Sequence, residues 1–242
     1  MPDESGARHV LLTGFEPFDT DVINPSGEVA KLLDGTSLGG SSVKSLILPV
    51  QHEAARDRVA VALEERGLAA VLHLGLARGR ARVSLERVAL NVMDYEIPDA
   101  VGQLFVDTPC VPGGPVAYLS TLPLRGILEE LTAFGIPAHI SNTAGTYLCN
   151  YTLYTTLDAL ARRGREIPAG FIHLPLLPSM VVAHRIEEAS MDLPLLARAI
   201  DIALRQVLRE IEGPLTLPSP PSGARDKKRP LPRRARRDRG SG

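Results

Sequence analysis

The feature that most restricts the fold of this chain is the alternation of short apolar runs with longer amphipathic stretches. Residues 9–13, 43–48 and 69–74 are apolar runs of strand length, whereas 52–66 repeats apolar residues at helical spacing and ends at Gly67. Strands that alternate with helices favour parallel pairing through crossover connections. The sequence therefore predicts an α/β fold: a single three-layer α/β/α domain with a mostly parallel twisted sheet.

The rest of the chain follows the same rhythm. Asn24 is expected to cap a helix over 25–33, with Pro25 at its first position. Residues 75–118 are less regular and contain Pro- and Gly-rich stretches, and a long ordered loop of this kind is usually functional or forms a small additional sheet. Further strands are predicted at 88–93, 138–140 and 169–173, and further helices at 124–134, 147–163 and 193–211.

Charge is distributed unevenly along the 242 residues, although the formal net charge is only −1. Residues 213–242 contain nine basic and two acidic side chains and six prolines, which leaves residues 1–212 with a net charge of −8. We therefore predict a folded domain over 1–212 and a disordered basic tail over 213–242. The acidic domain gives no support to a nucleic-acid-binding surface. The tail is either a tether for an anionic surface or a solvated extension.

Cysteine content and hydropathy predict the compartment. The chain has two cysteines, Cys110 and Cys149, and residues 1–10 lack the apolar core of a signal peptide. No run of 18 apolar residues is present in the sequence, so no membrane partner is expected. We predict a cytoplasmic protein with reduced thiols.

Cys149 is the first candidate for chemistry. It follows a turn at 141–145 and lies near the start of a predicted helix, where the dipole and the free N–H groups favour the thiolate. A buried structural cysteine is the alternative. Cys110, in a loop between Pro109 and Val111, fits that alternative.

A nucleophilic thiol needs a base, and the base needs a carboxylate to orient it. His173 ends a predicted strand, at the edge where open α/β sheets place their sites. His73 and His139 lie within or beside apolar runs and are expected to be satisfied core histidines. Glu86 precedes a predicted strand and Asp99 follows it, so both are candidates for the carboxylate.

Four segments together carry a resemblance to a known family. They are LLTGFEPFDTDVINPS (11–26), GRARVSLERVALNVMDYEIPD (79–99), SNTAGTYLCN (141–150) and GFIHLPLLP (170–178). In their order and spacing, the chain resembles the pyroglutamyl peptidase I family of cysteine peptidases, which remove N-terminal pyroglutamate from peptides. The resemblance extends over about residues 9–211.

The resemblance implies a role for each candidate residue. Cys149 corresponds to the nucleophile, His173 to the general base and then acid, and Glu86 to the carboxylate that orients the imidazole. Backbone N–H groups of Cys149 and of the loop near Ile97 are expected to bind the oxyanion. The family implies no cofactor, no metal, peptides with N-terminal pyroglutamate as partners, and a homo-oligomer, which is a tetramer in many relatives.

The resemblance also implies a substrate pocket. Pyroglutamate is an uncharged lactam, so its pocket should be apolar and aromatic with few charges. The family's pocket positions correspond to Phe15, Phe18, Ile97, Tyr147 and Leu148. The alternative is that the two phenylalanines of this set pack in the core.

The sequence departs from the family's usual residues near this pocket. Leu76 stands where Gln is usual, Arg78 where Gly is usual and Glu96 where Arg is usual, while Val50 and Tyr147 replace Thr and Phe. These departures leave the three implied catalytic residues intact. Two alternatives therefore stay open: a divergent relative that acts on another cyclic or amide substrate, and a non-catalytic binding protein tethered by its basic tail.

Overall fold

The computed structural model describes residues 8–213, in which strands and helices alternate. The strands are β1 (Arg8–Phe15), β2 (Ser37–Leu38), β3 (Ser41–Leu48), β4 (Leu68–Leu76), β5 (Val83–Glu86), β6 (Val88–Leu90), β7 (Ala117–Leu119), β8 (Ala138–Ser141) and β9 (Ala169–Leu174). The helices are α1 (Pro25–Leu33), α2 (His52–Ala62), α3 (Leu124–Ala133), α4 (Leu148–Arg162), α5 (Pro178–His184) and α6 (Leu193–Glu212).

The main sheet has seven strands in the order β2-β3-β1-β4-β9-β5-β8. Its centre is parallel, because β1 pairs in parallel with both β3 and β4, and β4 pairs in parallel with β9. The edges are mixed: β2 is antiparallel to β3, and β5 is antiparallel to β9 but parallel to β8. The carboxyl ends of β1, β4 and β9 consequently meet at one edge of the sheet.

Two apolar clusters cover the two faces of this sheet. Helices α1, α3, α5 and α6 contribute to one cluster, together with residues such as Leu72 and Leu85 that point to that face. Helices α2 and α4 contribute to the other, with Val71 and Phe171 from the sheet. Adjacent strand residues such as Val71 and Leu72 face opposite sides because side chains alternate along a strand. The prediction of a three-layer α/β/α domain with a mostly parallel sheet is confirmed.

The region between β4 and β8 differs from the sequence-based prediction. The strand expected at 88–93 is only Val88–Leu90, and it pairs antiparallel with β7 in a separate two-stranded sheet. The preceding segment, Val83–Glu86, is a strand of the main sheet that the apolar pattern did not indicate. All four of its residues are buried, including the polar Ser84 and Glu86, so β5 lacks the apolar run that identifies a buried strand.

Other differences concern short elements and segment ends. The two-residue strand β2 and the seven-residue helix α5 were not predicted, and α2 ends at Ala62 rather than at Arg66. In the part of the chain from residue 8 to residue 213, no helix is both long and apolar enough to cross a bilayer. The predicted basic tail lies outside the described residues from position 214 onward.

Strand β1 and helix α1 approach each other so closely that Gly14 has no room for a side chain. A Cβ atom at Gly14 would lie 2.2 Å from the carbonyl oxygen of Ser26, and backbone cannot move aside as a flexible side chain can. The contact is reinforced because the Ser26 hydroxyl accepts a hydrogen bond from the Phe15 N–H at 3.0 Å. Asn24 caps α1 as predicted, accepting from the Ser26 N–H at 3.1 Å.

We expect Gly14→Ala to destabilise the fold by about 1–3 kcal/mol or more, the usual cost of overpacking a close contact. Thermal unfolding followed by circular dichroism measures the change as a lower Tm. Gly40→Ala is the matched control, because a Cβ at Gly40 would have no atom within 4 Å. Equal Tm values for the two variants would contradict the argument.

Candidate active site

Cys149 lies at the start of α4, directly above the central strand β4. It is the second residue of the helix, and no side chain caps the helix N-terminus at Tyr147. Cys149 is only partly buried, so its thiol is accessible from the adjoining cavity. A Cβ atom at Gly75 of β4 would lie 2.9 Å from the Cys149 Sγ, which means that the missing side chain of Gly75 makes the space for the thiol.

The sheet register places His173 next to Gly75, the residue that makes the space for this thiol. In the parallel pairing of β4 with β9, the Cα of Gly75 is partnered by that of His173. The side chain of His173 is 5% exposed, and its Nδ1–H donates to the Glu86 Oε1 at 2.8 Å. The other ring nitrogen, Nε2, is therefore the one left to exchange a proton with a neighbouring group.

Glu86 is the last residue of β5, not a residue of the loop before a strand, and its side chain is fully buried. Its Oε1 accepts a second hydrogen bond, from Arg80 Nη1 at 2.6 Å. Among the described residues, no group partners its Oε2. Glu86 is thus a buried carboxylate held between an imidazole and a guanidinium.

Asp99 was the other carboxylate considered from the sequence as a partner for a catalytic histidine, and that prediction is wrong for His173. Its buried Oδ2 contacts His52 Nδ1 at 3.3 Å, while its Oδ1 accepts from the backbone N–H groups of Val101 and Gln103. The sequence placed Asp99 after a strand but did not show which histidine it would meet. Asp99 instead fixes the loop around Ile97 to the start of α2.

Burial dominates the protonation of the site. Desolvation lowers the pKa of His173 below its ordinary value; the hydrogen bond and charge of Glu86 oppose this, and the charge of Arg80 adds to it. Burial also opposes the ionisation of Glu86, but its hydrogen bond with His173 and the other polar contacts outweigh burial and hold its pKa below the ordinary value. The pair consequently rests as a neutral imidazole on an ionised carboxylate.

The backbone N–H at the start of α4 favours the Cys149 thiolate as expected, but larger effects outweigh it. Desolvation raises the pKa of Cys149 to about 12, the charge of Glu86 raises it further, and Arg80 and a backbone hydrogen bond only partly oppose them. The free-energy cost of burying a thiolate exceeds the stabilisation that a helix N-terminus gives to a negative charge, which is typically about 1 kcal/mol or less. A neutral thiol next to a neutral imidazole is an arrangement that requires general-base activation of the thiol.

Three other residues test the remaining sequence-based expectations. His73 is a satisfied core histidine as predicted: its nitrogens hydrogen-bond the hydroxyls of Thr13 and Thr156 at 2.8 and 3.0 Å, and burial lowers its pKa to about 3. Cys110 is buried, as predicted, and burial raises its pKa to about 12. The prediction for His139 is wrong, because it lies half-buried on the edge strand β8 and its Nδ1 has no partner among the described residues.

A cavity of about 210 Å³ opens next to Cys149. Phe15 at the end of β1 is buried, and Phe18 is half-buried with its ring centroid 6.4 Å from that of Tyr147. The Tyr147 hydroxyl donates to the Pro98 carbonyl at 3.2 Å, which ties the helix start to the loop opposite. The five positions expected to form a pocket, Phe15, Phe18, Ile97, Tyr147 and Leu148, all line this cavity together with Cys149.

The departures from the family pattern have different positions relative to the cavity. Leu76, Arg78 and Val50 line it, whereas Glu96 is exposed and does not. Arg78 donates to both carboxylate oxygens of Asp21, at 2.8 and 2.7 Å, at the rim of the cavity. No sequence pattern indicated this ion pair, since its partners are far apart in the chain.

Arg80 is the main site residue that sequence reasoning missed. It contacts Glu86 and also the segment before α4, although it sits in a short loop with two other arginines, Arg78 and Arg82, and looks like part of a solvated basic run. It lies in the segment 79–99 that carries the family resemblance, six residues before Glu86, but neither position indicated which groups its side chain would contact. As for metals, residues 8–213 contain no group of three or more His, Cys, Asp or Glu side chains arranged to hold an ion.

Comparison with known proteins places this geometry in a family. The family model described as "Pyroglutamyl peptidase" matches residues 8–210. The pyrrolidone-carboxylate peptidase of Pyrococcus furiosus is 42% identical over 207 residues, covering 82% of this chain and 99% of that protein. The enzyme of the same name from Klebsiella pneumoniae is 45% identical over 201 residues, covering 83% of this chain and 93% of that protein.

Solved structures agree with these sequence matches. A variant of the pyrrolidone carboxyl peptidase of Pyrococcus furiosus superimposes with a TM-score of 0.82 at 41% identity, covering 84% of this chain and 99% of that one. The pyroglutamyl peptidase I of Bacillus amyloliquefaciens superimposes with a TM-score of 0.80 at 35% identity, covering 83% of this chain and 96% of that one. With a matching fold, a family model that covers nearly all of residues 8–213 and relatives above 40% identity, this chain belongs to the pyroglutamyl peptidase family.

Proposed function

We propose that this protein is a cysteine peptidase, a pyroglutamyl-peptidase I, that removes N-terminal pyroglutamate from peptides. In this proposal, Cys149 is the nucleophile, His173 is the general base and then the general acid, and Glu86 orients the imidazole. The observation that carries it is the 2.8 Å hydrogen bond between the buried Glu86 and His173, beside a thiol that borders an apolar cavity. Membership of the pyroglutamyl peptidase family supports the same activity.

The neutral resting state of the pair defines the order of proton transfers. His173 Nε2 takes the thiol proton as the Cys149 Sγ attacks the pyroglutamyl carbonyl carbon, and Glu86 stabilises the imidazolium that forms. Collapse of the tetrahedral intermediate breaks the C–N bond, and the imidazolium gives its proton to the leaving amine. A water molecule, deprotonated by the same imidazole, then hydrolyses the thioester and returns the thiol.

Negative charge on the carbonyl oxygen needs hydrogen-bond donors during both steps. The first N–H groups of a helix have no intrahelical partner, and Cys149 is the second residue of α4. Its backbone N–H is therefore a donor for the oxyanion, on the positive end of the helix dipole. A second donor from the loop near Ile97 stays a prediction.

The cavity suits a small uncharged ring. Its volume of about 210 Å³ lies below the range of roughly 300–1,000 Å³ that is usual for drug-sized ligands. Phe15, Phe18 and Leu148 contribute apolar surface to it. The charged side chains that also line the cavity are Asp19, Asp21 and Arg78, and Arg78 and Asp21 pair with each other at the rim. A lactam, unlike the ammonium group of a free N-terminal residue, needs no charged partner to offset its desolvation.

The two alternatives are less well supported. Leu76 lines the cavity where the family usually has Gln, which leaves the lactam with backbone partners there and is the one observation in favour of a divergent substrate. Against it stand relatives above 40% identity that carry the pyrrolidone-carboxylate peptidase name. A binding protein without catalysis has no physical need for the buried Glu86–His173 pair.

Several sequence-based expectations stay predictions. They are the division at residue 212 into a domain and a tail, the cytoplasmic location, and the homo-oligomeric state. The basic tail is proposed to be dispensable for catalysis, because the site lies within residues 15–173. Peptides with N-terminal pyroglutamate are the proposed partners.

Cys149→Ser should abolish hydrolysis of a pyroglutamyl-amide reporter, because an alcohol is a far weaker nucleophile when it depends on the same imidazole. Cys110→Ser is the matched control and should retain activity, since Cys110 is buried away from the cavity lining. A prolyl-amide reporter, which lacks the lactam carbonyl, should be a poor substrate for the unmodified protein. If only the Cys110 variant loses activity, the assignment of Cys149 as the nucleophile is wrong.

The pH dependence follows from the direction of the His173 shift. The base must be neutral to accept the thiol proton, and the pKa of His173 lies below the ordinary value of 6.5. The acid limb of the kcat/KM profile should therefore have its midpoint below pH 6.5. Activity should be lost only as the pH drops through the lowered pKa of His173.

The thiol offers a second measurement of the same state. With a Cys149 pKa of about 12, alkylation by iodoacetamide in the Cys110→Ser protein should be slow at pH 7 and accelerate above it. Rapid alkylation at acidic pH would indicate a thiolate–imidazolium pair instead and would contradict the proposed general-base step.

Phe18→Ala should weaken catalysis by up to about 10²-fold through lost positioning of the lactam. The Tm should change little because Phe18 is only half-buried. Phe134→Ala is the matched control, since Phe134 is 51% exposed at the end of α3 and lines no part of this cavity. Steady-state kinetics on the pyroglutamyl reporter distinguishes the two variants; equal activity in both would remove Phe18 from the substrate pocket.

A further inference from the structure

Arg80 connects two parts of the active site that come from different elements. Its Nη1 donates to Glu86 Oε1 at 2.6 Å, the oxygen that also accepts from His173. The same Nη1 lies 3.5 Å from the Ser141 hydroxyl, and Nη2 donates to the Thr143 carbonyl at 3.4 Å. One guanidinium therefore spans the carboxylate on β5 and the turn that leads from β8 to the nucleophile helix.

The Glu86 carboxylate depends on this contact for its orientation. Glu86 is fully buried, and its Oε2 has no partner among the described residues. Both of its polar contacts converge on Oε1, a hydrogen bond from His173 on one side and an ion pair with Arg80 on the other. Without Arg80, the imidazole would be the only cation-forming partner of a buried carboxylate that is free to rotate toward other donors.

The turn after β8 depends on Arg80 as well. Ser141 Oγ donates to the Thr143 carbonyl at 3.1 Å, so the guanidinium and the serine hydroxyl share one acceptor. Gly145 then takes a positive φ of 79° before α4 begins. Movement of this turn would move the helix start, and with it the thiol of Cys149.

The loop that carries Arg80 is held by contacts of its own. Arg78 donates to both oxygens of Asp21, and the Gly79 N–H donates to Glu188 Oε2 at 2.8 Å. Neither contact uses the Arg80 side chain, which is 29% exposed. Replacement of that side chain should therefore leave the loop backbone in place and affect mainly the groups that the guanidinium touches.

We infer that Arg80 is a positioning residue of the reaction: its guanidinium holds the Glu86 carboxylate toward His173 and fixes the turn before Cys149 in the same contact. The inference rests on the proposed peptidase function for its kinetic consequence. It acts through Glu86 and the turn, because the guanidinium hydrogen-bonds neither the imidazole nor the thiol among the described contacts.

Electrostatics gives the inference a signature that a purely structural role lacks. The charged and titratable groups around His173 are Glu86 from β5, Arg80 from the preceding loop and Cys149 from α4; His139 of β8 adds to the surroundings of Glu86. The charge of Arg80 lowers the pKa of His173 and that of the Cys149 thiol. Loss of this charge alone would raise the pKa of His173, whereas a Glu86 carboxylate that turns away would lower it by removing a hydrogen bond and a charge. Because the two contributions of Glu86 are larger than that of Arg80, the acid limb of the pH profile should move to lower pH.

The test compares Arg80→Met, Arg80→Lys and the control Arg82→Met. Arg82 is exposed and lies two residues away in the same loop, so its replacement removes the same charge without touching Glu86. In Arg80→Met, kcat on the pyroglutamyl reporter should fall by about 10- to 100-fold, as expected for a misplaced catalytic group, with KM nearly unchanged. Arg80→Lys should keep the acid limb of the wild-type pH profile. It should recover kcat only in part, because an ammonium group cannot bridge the carboxylate and the turn as the planar guanidinium does.

Nuclear magnetic resonance titration of His173 in the same variants separates this inference from the proposed function, because it needs no substrate. The pKa of His173 should fall in Arg80→Met, because the imidazole loses the Glu86 hydrogen bond and charge that raise it, and should stay unchanged in Arg82→Met. A rise in Arg80→Met would mean that only the charge of Arg80 acts and that Glu86 keeps its place. If the protein fails to cleave the pyroglutamyl reporter, the proposed function is wrong, and this titration alone decides on Arg80. The inference is overturned if the His173 pKa rises or does not move, or if kcat and the acid limb of Arg80→Met match those of Arg82→Met.

Discussion

The parallel pairing of β4 with β9 is the constraint on which the site depends. It sets Gly75 beside His173, and Gly75, having no side chain, lets the first turn of α4 place the Cys149 thiol over the sheet. The antiparallel addition of β5 to β9 then brings the buried Glu86 to the Nδ1 side of the same imidazole. Three residues from three distant segments meet because of the register of these strands.

Burial gives this arrangement its chemical character. The same desolvation that lowers the pKa of His173 raises that of Cys149, so the pair rests uncharged and separates charge only when substrate reacts. Glu86 is the exception, a buried group kept ionised by its partners. An isolated buried carboxylate is costly, and the Arg80 cation on Oε1 offsets part of that cost. Arg80 therefore contributes, as His173 does, to keeping Glu86 ionised.

The predictability of the elements follows from what each strand buries. Strands such as β4 are apolar on both faces, so their sequence runs reveal them. Strand β5 buries Ser84 and Glu86 because the site needs them there, and that polar content hides it from any apolar pattern. The order of the segments around Cys149, His173 and Glu86 identified all three through family resemblance. Sequence position alone left Asp99 and Glu86 as equal candidates for the orienting carboxylate. In the structure, Asp99 contacts His52 instead.

The sequence by itself determined the alternation of strands and helices, the cap at Asn24, the burial of His73 and Cys110, and the five positions that line the cavity. These depend on local propensity, periodicity or a motif, all of which are read along the chain. Only the tertiary structure decided the protonation of Cys149, the partner of Asp99 and the contacts of Arg80. The physical reason is that desolvation and hydrogen bonding depend on distances between segments remote in sequence, and those distances exist only once the sheet has formed.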